Sequence, residues 1–237
     1  MRFIKIKTRA FLPPKDDIYD LLNRIKKINN GDILVITSKI LGIHQGRSIK
    51  INPSVSKTKL VKQEADYYKV SRIKQQKFML TIRNHVLALS AGIDESNSNG
   101  YYVLLPNNLN KLLKEIWQHL RQKYKIKNLG VIATDSHTLP MRRGTMGVAI
   151  GFYGLEPQKD YRGKKDIFGR KFVFTQTNVV DALAVGAVYV MGEGSERTPI
   201  VIIRDAAVQF TSKPTYRKLV MPLKGDIYYP LLKVFGI

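Results

Sequence analysis

Asn29-Asn30-Gly31-Asp32-Ile33-Leu34-Val35-Ile36-Thr37 reads as a turn running into an interior strand. The asparagine pair and glycine supply the turn, and the apolar run after them is short, continuous and rich in β-branched residues. Leu129-Gly130-Val131-Ile132-Ala133-Thr134 is a second such run, delivering Asp135-Ser136-His137 at its C-terminal end, and Pro199-Ile200-Val201-Ile202-Ile203-Arg204 is a third. Upstream, Phe3, Ile4 and Ile6 among Arg2, Lys5 and Lys7 give an approximately period-two strand. Pro13-Pro14 stops it, and Asp16-Asp17 then opens a helix with acid at its positive end, its buried stripe being Ile18, Leu21, Leu22, Ile25 and Ile28.

The clearest helix is predicted from Leu109 to Tyr124, with Leu112, Leu113, Ile116, Trp117 and Leu120 on one face. Asn178 to Met191 is a helix apolar on nearly every side and therefore interior. Between these elements, Met79 to Gly92 fits a hairpin about Arg83-Asn84-His85, followed by the loop Ala91 to Asn97 and a strand from Tyr101 to Leu105. Lys50 to Lys77 is polar, lysine-rich and weakly periodic, the pattern of a surface helix or loop with no core of its own. Arg142 to Arg170 is punctuated by glycine, so short strands and turns should alternate there. Strands and helices interleave irregularly, which implies an α+β fold of mixed sheets with packed helices in place of a regular doubly wound sheet. Neither a repeat nor a disordered linker is visible. The expected organisation is one catalytic unit over residues 1–237, with sub-lobes over 1–127 and 128–237.

The chain has 237 residues, 44% of them apolar, enough to bury a proper core and to exclude a disordered polyelectrolyte. A formal charge of +22 surrounds it with a field that draws in anions. The absence of cysteine excludes disulfides, a thiol nucleophile and thiolate metal sites, so any metal must sit on oxygen or imidazole. The most apolar stretch, Val179 to Met191, is broken by Asp181 and falls short of the roughly 20 residues of a membrane span. The N-terminus lacks an apolar signal core, and the expected location is the cytoplasm.

Neither of the two glycine loops that cradle phosphates at helix N-termini is present; Gly192-Glu193-Gly194 comes closest, but Arg197 stands where the third glycine is required. The chemistry is carried instead by loop carboxylates: Asp94, Asp135, Asp166 and Glu193. With neighbouring Ser96, Asn97 and Ser136, such oxygens suit a hard cation such as Mg²⁺ or Mn²⁺, which in turn gathers phosphates. The ordinary alternative for each alone is an Asx-turn or helix cap. His137 beside Asp135 is a candidate base or ligand, whereas His44, His85 and His119 have no motif around them. Arg142-Arg143, Arg162 and Arg170 are candidate clamps for phosphate or carboxylate, or a solvated positive face.

Read in order, Gly31 to Lys39, Ala91 to Asn97, Asp135 with Arg142-x-Gly144, Gly147-Val148-Ala149-Ile150-Gly151, Arg162-Gly-x-x-Asp-x-x-Gly-Arg170 and Pro199 to Arg204 resemble the coenzyme F(420)-0:γ-glutamyl ligase family. The likeness runs from about Phe11 to Arg204. It implies a two-lobed, intertwined α+β homodimer that uses a nucleoside triphosphate, GTP or ATP, and two divalent cations, Mg²⁺ or Mn²⁺, with K⁺ as a further candidate, to join L-glutamate to an acceptor carboxylate. By the same resemblance Asp94 and Asp135 look like ligands of the first metal, and Ser136 and Glu193 like ligands of the second. Phe11, Leu12, Pro13, Pro14, Ser38, Lys39, Asn97 and the run Met191, Gly192, Glu193, Gly194, Ser195, Glu196, Arg197 and Thr198 look like nucleotide-binding positions. Asp166 and Arg170 join Asp94 and Asp135 as catalytic candidates.

The chain also departs from the family pattern. Gly42-Ile43-His44-Gln45-Gly46 follows the second strand, so Ile43 stands where a nucleotide-contacting lysine is expected and Gln45 replaces a carboxylate. Asp135-Ser-His-Thr-Leu-Pro-Met141 differs from the usual Asp-Thr-Phe-Gly-Arg-Pro-Trp. These departures tilt the expected acceptor toward a folate, as in relatives that resemble folate γ-glutamyl ligases, with coenzyme F(420)-0 the alternative. The rival from a different class is a basic nucleic-acid-binding protein, supported by the charge but by no recognisable motif. A metal-dependent phosphatase on the same residues and a catalytically dead scaffold are the remaining readings.

Overall fold

The computed structural model describes residues 1–73 and 76–236. In chain order the strands are β1 (Arg2–Ile6), β2 (Asp32–Thr37), β3 (Ser48–Lys50), β4 (Tyr67–Ile73), β5 (Gln76–Arg83), β6 (Val86–Leu89), β7 (Tyr101–Val103), β8 (Leu129–His137), β9 (Met146–Tyr153), β10 (Gln158–Asp160), β11 (Gln176–Asn178) and β12 (Ile200–Arg204). The helices are α1 (Ile18–Asn23), α2 (Ser38–His44), α3 (Lys57–Glu64), α4 (Leu109–Tyr124), α5 (Val179–Met191) and α6 (Tyr229–Leu232). The fold is mixed α+β. Among the described residues no helix is long and apolar enough to cross a membrane.

The main sheet has five strands in the order β1-β12-β2-β8-β9. It draws β1 and β2 from before residue 127 and β8, β9 and β12 from after it, so the two stretches of chain are woven through one sheet. Among the described residues only β2 and β8 run parallel, with Asp32 opposite Leu129 and Thr37 opposite Thr134. Side chains alternate between the two faces. Leu34, Ile36, Val131 and Ala133 pack on one side with α1, α2 and α4; Ile33, Val35, Ile132, Val201 and Ile203 pack on the other with α5. Both faces are therefore covered, which is why Asp32 to Thr37 reads as a continuous apolar run with no alternation.

The register decides where chain segments meet. Because β2 and β8 are parallel, their C-terminal ends lie side by side at one edge of the sheet. Strand β12 runs antiparallel to β2, placing Ile200 against Ile36, so the segment entering β12 arrives at that edge too. Strand β1 is antiparallel to β12, with Ile6 opposite Ile200, and the chain leaving β1 emerges at the same place. Four passages separated by most of the sequence thus converge.

A smaller unit packs beside this edge. Strands β4-β5-β6 form a three-stranded sheet and β3 pairs with β7, around a cluster of Val61, Met79, Ala91, Ile93, Tyr102 and Leu104. The hairpin at Arg83-Asn84-His85 is present, with Asn84 and His85 in the left-handed region that a tight two-residue turn requires. Asp94 forms an isolated bridge with Val103, which ties the loop after β6 to β7.

Several expectations are corrected. Helix α1 ends at Asn23, and Ile25 and Ile28 reach the core from irregular chain. The polar stretch from Lys50 to Lys77 does carry a surface helix, α3, but that helix buries Val61 in a small core and is followed by the unexpected strand β4, whose Tyr67, Tyr68 and Val70 face solvent. Pairing with β5 defines that strand, and backbone pairing leaves no hydrophobic pattern to read. Lys74 and Gln75 of that stretch lie outside the described residues. Strand β7 stops at Val103, although Leu104 and Leu105 remain buried. Strand β8 continues to His137, so Asp135 lies within it. A bulge between Ala133 and Thr134 accompanies the extension, and from Asp135 onward β8 is held by β9 alone. Helix α5 is interior along most of its length, but Tyr189 is 87% exposed.

Candidate active site

The converging edge encloses a cavity of about 620 Å³. Its floor is made of strand ends, and each functional side chain is presented by a segment with little freedom. Ser38 begins α2 where β2 stops. The segment from Gly192 to Thr198 joins α5 to β12 and is fastened at both ends. Thr198 Oγ1 donates to the Met191 carbonyl at 2.6 Å, and Thr8 N donates to the Arg197 carbonyl at 2.9 Å. Asn97 Nδ2 donates to the Gly194 carbonyl at 2.9 Å, linking that segment to the loop bearing Asp94.

The carboxylates occupy contrasting environments. Asp94 Oδ1 accepts from Ser96 N at 2.7 Å and Ser96 Oγ at 2.8 Å, while Oδ2 faces Lys39 Nζ at 2.8 Å. Burial pushes its pKa up, but Lys39 and the Ser96 donors outweigh that and leave it below the usual carboxylate value. Asp135 accepts from Ser38 Oγ at 2.7 Å. Desolvation dominates here and, with the Asp94 charge adding to it, raises the Asp135 carboxyl to about 6 despite the Ser38 and Ser136 hydrogen bonds. Ser136 Oγ donates to Glu193 Oε1 at 2.7 Å. Glu196 turns into its own loop, accepting from Gly194 N at 2.9 Å.

Phe11, Ser38, Lys39, Asp94, Asn97, Asp135, Ser136 and every residue from Met191 to Thr198 line the cavity. Leu12, Pro13 and Pro14 do not. The chain there is drawn aside by Asp16, which accepts from Leu12 N at 3.0 Å and grips the Arg9 guanidinium. Asp166 and Arg170 also lie outside the lining. Asp166 Oδ1 accepts from the backbone N of Phe168 and of Arg170 at 2.9 and 2.8 Å, so it closes a turn in the arm between β10 and β11. His137, Arg142, Arg143 and Arg162 are likewise absent from the lining, and Arg162 is paired with Asp160.

Thr8, Arg9 and Ala10 line the cavity unpredicted, as do Thr37 and Thr134. Only the register Ile6 to Ile200 reveals Thr8 to Ala10, since nothing in their composition marks a site. Arg9 is held by Asp16, whose carboxyl the guanidinium lowers to about 2. Ile43 stands in the wall and is buried, so the position of the expected lysine is apolar in this chain. Gln45 turns away, exchanging hydrogen bonds of 2.8 Å with the Asn107 backbone. Gly42, just before Ile43, is required, because a Cβ there would lie 2.3 Å from the Leu104 carbonyl oxygen.

The oxygens of Asp94, Asp135, Ser136 and Glu193 are the hard donors that a divalent cation takes. Among the described residues no three acidic or imidazole groups form a complete metal cage. A donor set this sparse fits a cation whose remaining positions are filled by phosphate oxygens and water, the usual manner of Mg²⁺.

The family model described as F420-0:Gamma-glutamyl ligase matches residues 6–205. The chain is 34% identical to the coenzyme F420:L-glutamate ligase of Methanocaldococcus jannaschii, over 85% of this chain and 86% of that protein. It is 32% identical to the coenzyme F420:L-glutamate ligase of Methanopyrus kandleri, over 81% of each chain.

Proposed function

This chain belongs to the F420-0:gamma-glutamyl ligase family, and from that premise we propose that it joins L-glutamate to the carboxylate of a deazaflavin acceptor of the coenzyme F420-0 type, consuming a nucleoside triphosphate. The observation that carries this reading is the gathering of Asp94, Asp135, Ser136 and Glu193 with the 191–198 segment around one cavity. Loop departures alone tilt the acceptor toward folate. The relatives, named for coenzyme F420 and L-glutamate, reverse that weighting.

The chemistry is a two-step ligation. A carboxylate is a poor acyl donor, so an acceptor oxygen attacks the γ-phosphorus and the bond to the leaving nucleoside diphosphate breaks. The glutamate amine then attacks the carbonyl of the acyl phosphate, the C–O bond to phosphate breaks, and the amine loses a proton as the amide forms. Divalent cations held by Asp94 with Asp135, and by Ser136 with Glu193, would offset charge on the phosphate oxygens. The chain's own part is to hold the reactants in register. Ser38 fixes the Asp135 carboxylate, Asn97 ties the acidic loop to the 191–198 segment, and Arg197 presents positive charge to anions.

A homodimer belongs to the same proposal. The arm between β10 and β11 carries Ile167, Phe168, Val173 and Phe174 at 91%, 88%, 62% and 88% exposure, an apolar surface suited to a second copy. Light scattering on a sizing column should give twice the chain mass, and Phe168→Asp with Phe174→Asp should give the single mass; a wild-type monomer would remove this part.

The function is tested by incubating purified protein with Mg²⁺ or Mn²⁺, GTP or ATP, glutamate and either coenzyme F420-0 or a reduced folate. A mass increase of one glutamyl unit on the deazaflavin is expected. Product on folate alone would restore the other acceptor. No product with either, together with salt-dependent duplex binding, would move the reading to nucleic acid.

A further inference from the structure

Lys39 makes a contact that a nucleotide-binding lysine would not be expected to make. Its ammonium lies 2.8 Å from Asp94 Oδ2, 2.8 Å from the Ser96 carbonyl and 3.3 Å from Ser96 Oγ. These three acceptors match the three donors of an ammonium group. Asp94 Oδ1, meanwhile, already receives two donors from Ser96. Oδ2 is therefore the oxygen through which Asp94 can take a divalent cation, and it is the oxygen Lys39 holds.

Lys39 is the second residue of α2, at the positive end of a helix whose first turn contains no acid. A cation there is disfavoured by the helix dipole and needs a compensating charge from outside the helix. Asp94 supplies it. The pair is partly sheltered, with the Lys39 side chain 21% exposed and that of Asp94 43% exposed.

We propose that Lys39 is a resident counter-cation on Asp94 which an incoming divalent cation displaces, freeing the ammonium to swing into the cavity toward the phosphates of the co-substrate. This rests on the reading that Asp94 is a metal ligand. One carboxylate oxygen cannot serve an ammonium and a divalent cation at full strength, so the two compete for Oδ2. Lys39 also lines the cavity, and its flexible four-carbon stem allows the head group to move without moving α2. Metal binding then creates positive charge where a triphosphate needs it, and metal and nucleotide affinities are coupled through one side chain. The buried Ile43 offers no ammonium at its own position, which leaves this role to another residue.

The test is Mn²⁺ binding to the full chain without nucleotide, followed by the electron paramagnetic resonance of free Mn²⁺. Lys39→Met and Lys39→Gln should each bind Mn²⁺ about fivefold more tightly than wild type, the equivalent of about 1 kcal/mol. Lys39→Arg, which keeps the charge, should not gain, and Asp94→Asn should lose one Mn²⁺ equivalent. Thermal melts of both neutral variants check that the fold is kept. Unchanged or weaker Mn²⁺ binding in both neutral variants, with Asp94→Asn still losing its equivalent, overturns the displacement and makes Lys39 a support for Asp94. Mn²⁺ binding indifferent to Asp94→Asn removes the metal assignment itself, and the displacement with it.

Discussion

Ser38 Oγ donates to Asp135 Oδ1 at 2.7 Å, joining two residues 97 positions apart where the pairing of the parallel strands β2 and β8 ends. The contact exists because Thr37 and Thr134 are in register, so Ser38 leaves β2 beside Asp135, which continues along β8. Ser38 is buried and Asp135 is desolvated, so this single hydroxyl does much to keep the carboxylate oriented.

Ser38→Ala should lower ligase turnover by about 10- to 100-fold, the range found when the partner of a metal ligand is removed. Fold stability should change by no more than about 1 kcal/mol. Ser38→Thr, which keeps the hydroxyl, should recover part of the rate. Turnover and denaturation curves of the three proteins check this; an unimpaired alanine variant would separate Asp135 orientation from catalysis.

Asp135 makes stability depend on pH with a definite sign. Its carboxyl titrates at about 6 in the folded chain and near 3.9 when unfolded, so between these values the folded state holds a proton that the unfolded state lacks. The ionised carboxylate therefore costs stability in full above about pH 6 and not at all below about pH 4. In chelator-treated protein, Asp135→Asn should be more stable than wild type by about 1–3 kcal/mol near neutrality. The two melting temperatures should converge as the pH falls toward about 4. A constant difference across that range would contradict the assignment.

Asp16 has the opposite sign. Arg9 holds its carboxyl at about 2, so its stabilising effect is complete above the unfolded value near 3.9 and is lost as the pH falls toward about 2. Asp16→Asn should flatten the acid limb of the stability curve and leave Leu12 to Pro14 freer, which limited proteolysis would detect.

Ser136 and Glu193 should respond differently to substitution, although they share one hydrogen bond. Glu193→Gln keeps an acceptor but removes the charge, whereas Ser136→Ala removes the donor and leaves the charge. If the carboxylate meets a cation, the rate should need more Mn²⁺ in Glu193→Gln than in Ser136→Ala, with losses of about tenfold or more. Rates measured across a Mn²⁺ series give the comparison, and equal shifts would reduce the pair to a structural clasp.

Asp32 is 1% exposed and takes the Arg204 guanidinium through both oxygens at 2.9 and 2.7 Å, along with Asn29 N at 2.7 Å. Asp32→Ala strands a partly buried guanidinium and opens the turn before β2. The expected loss is about 3–5 kcal/mol by chemical denaturation. Because the pair lies at the sheet edge opposite the cavity, protein that still folds should keep its substrate KM.

Local patterns in the sequence were enough for the elements whose burial is uniform along one face or on both. Asp32 to Thr37 and Leu109 to Tyr124 are bounded in the structure as the residues suggest, because turn chemistry and helical periodicity are written in neighbouring positions. The order of short motifs was likewise enough to name the family, and it put Asp94, Asp135, Ser136 and Glu193 forward as candidates. Strand β4 was illegible, since hydrogen bonds between backbones hold it and these leave no mark on side-chain type.

Only the tertiary structure decided which of these residues share a cavity. The register Ile6 to Ile200 and Thr37 to Thr134 brings Thr8, Arg9 and Ser38 to the acidic strand end, and keeps Asp166 and Arg170 in a separate arm. It also seals Ile43 into the wall and turns Gln45 toward Asn107, settling two departures that the sequence could only flag. The reason is physical. Composition records how buried a residue is, but partners distant along the chain are chosen by backbone pairing and close packing, which many different side chains satisfy equally well.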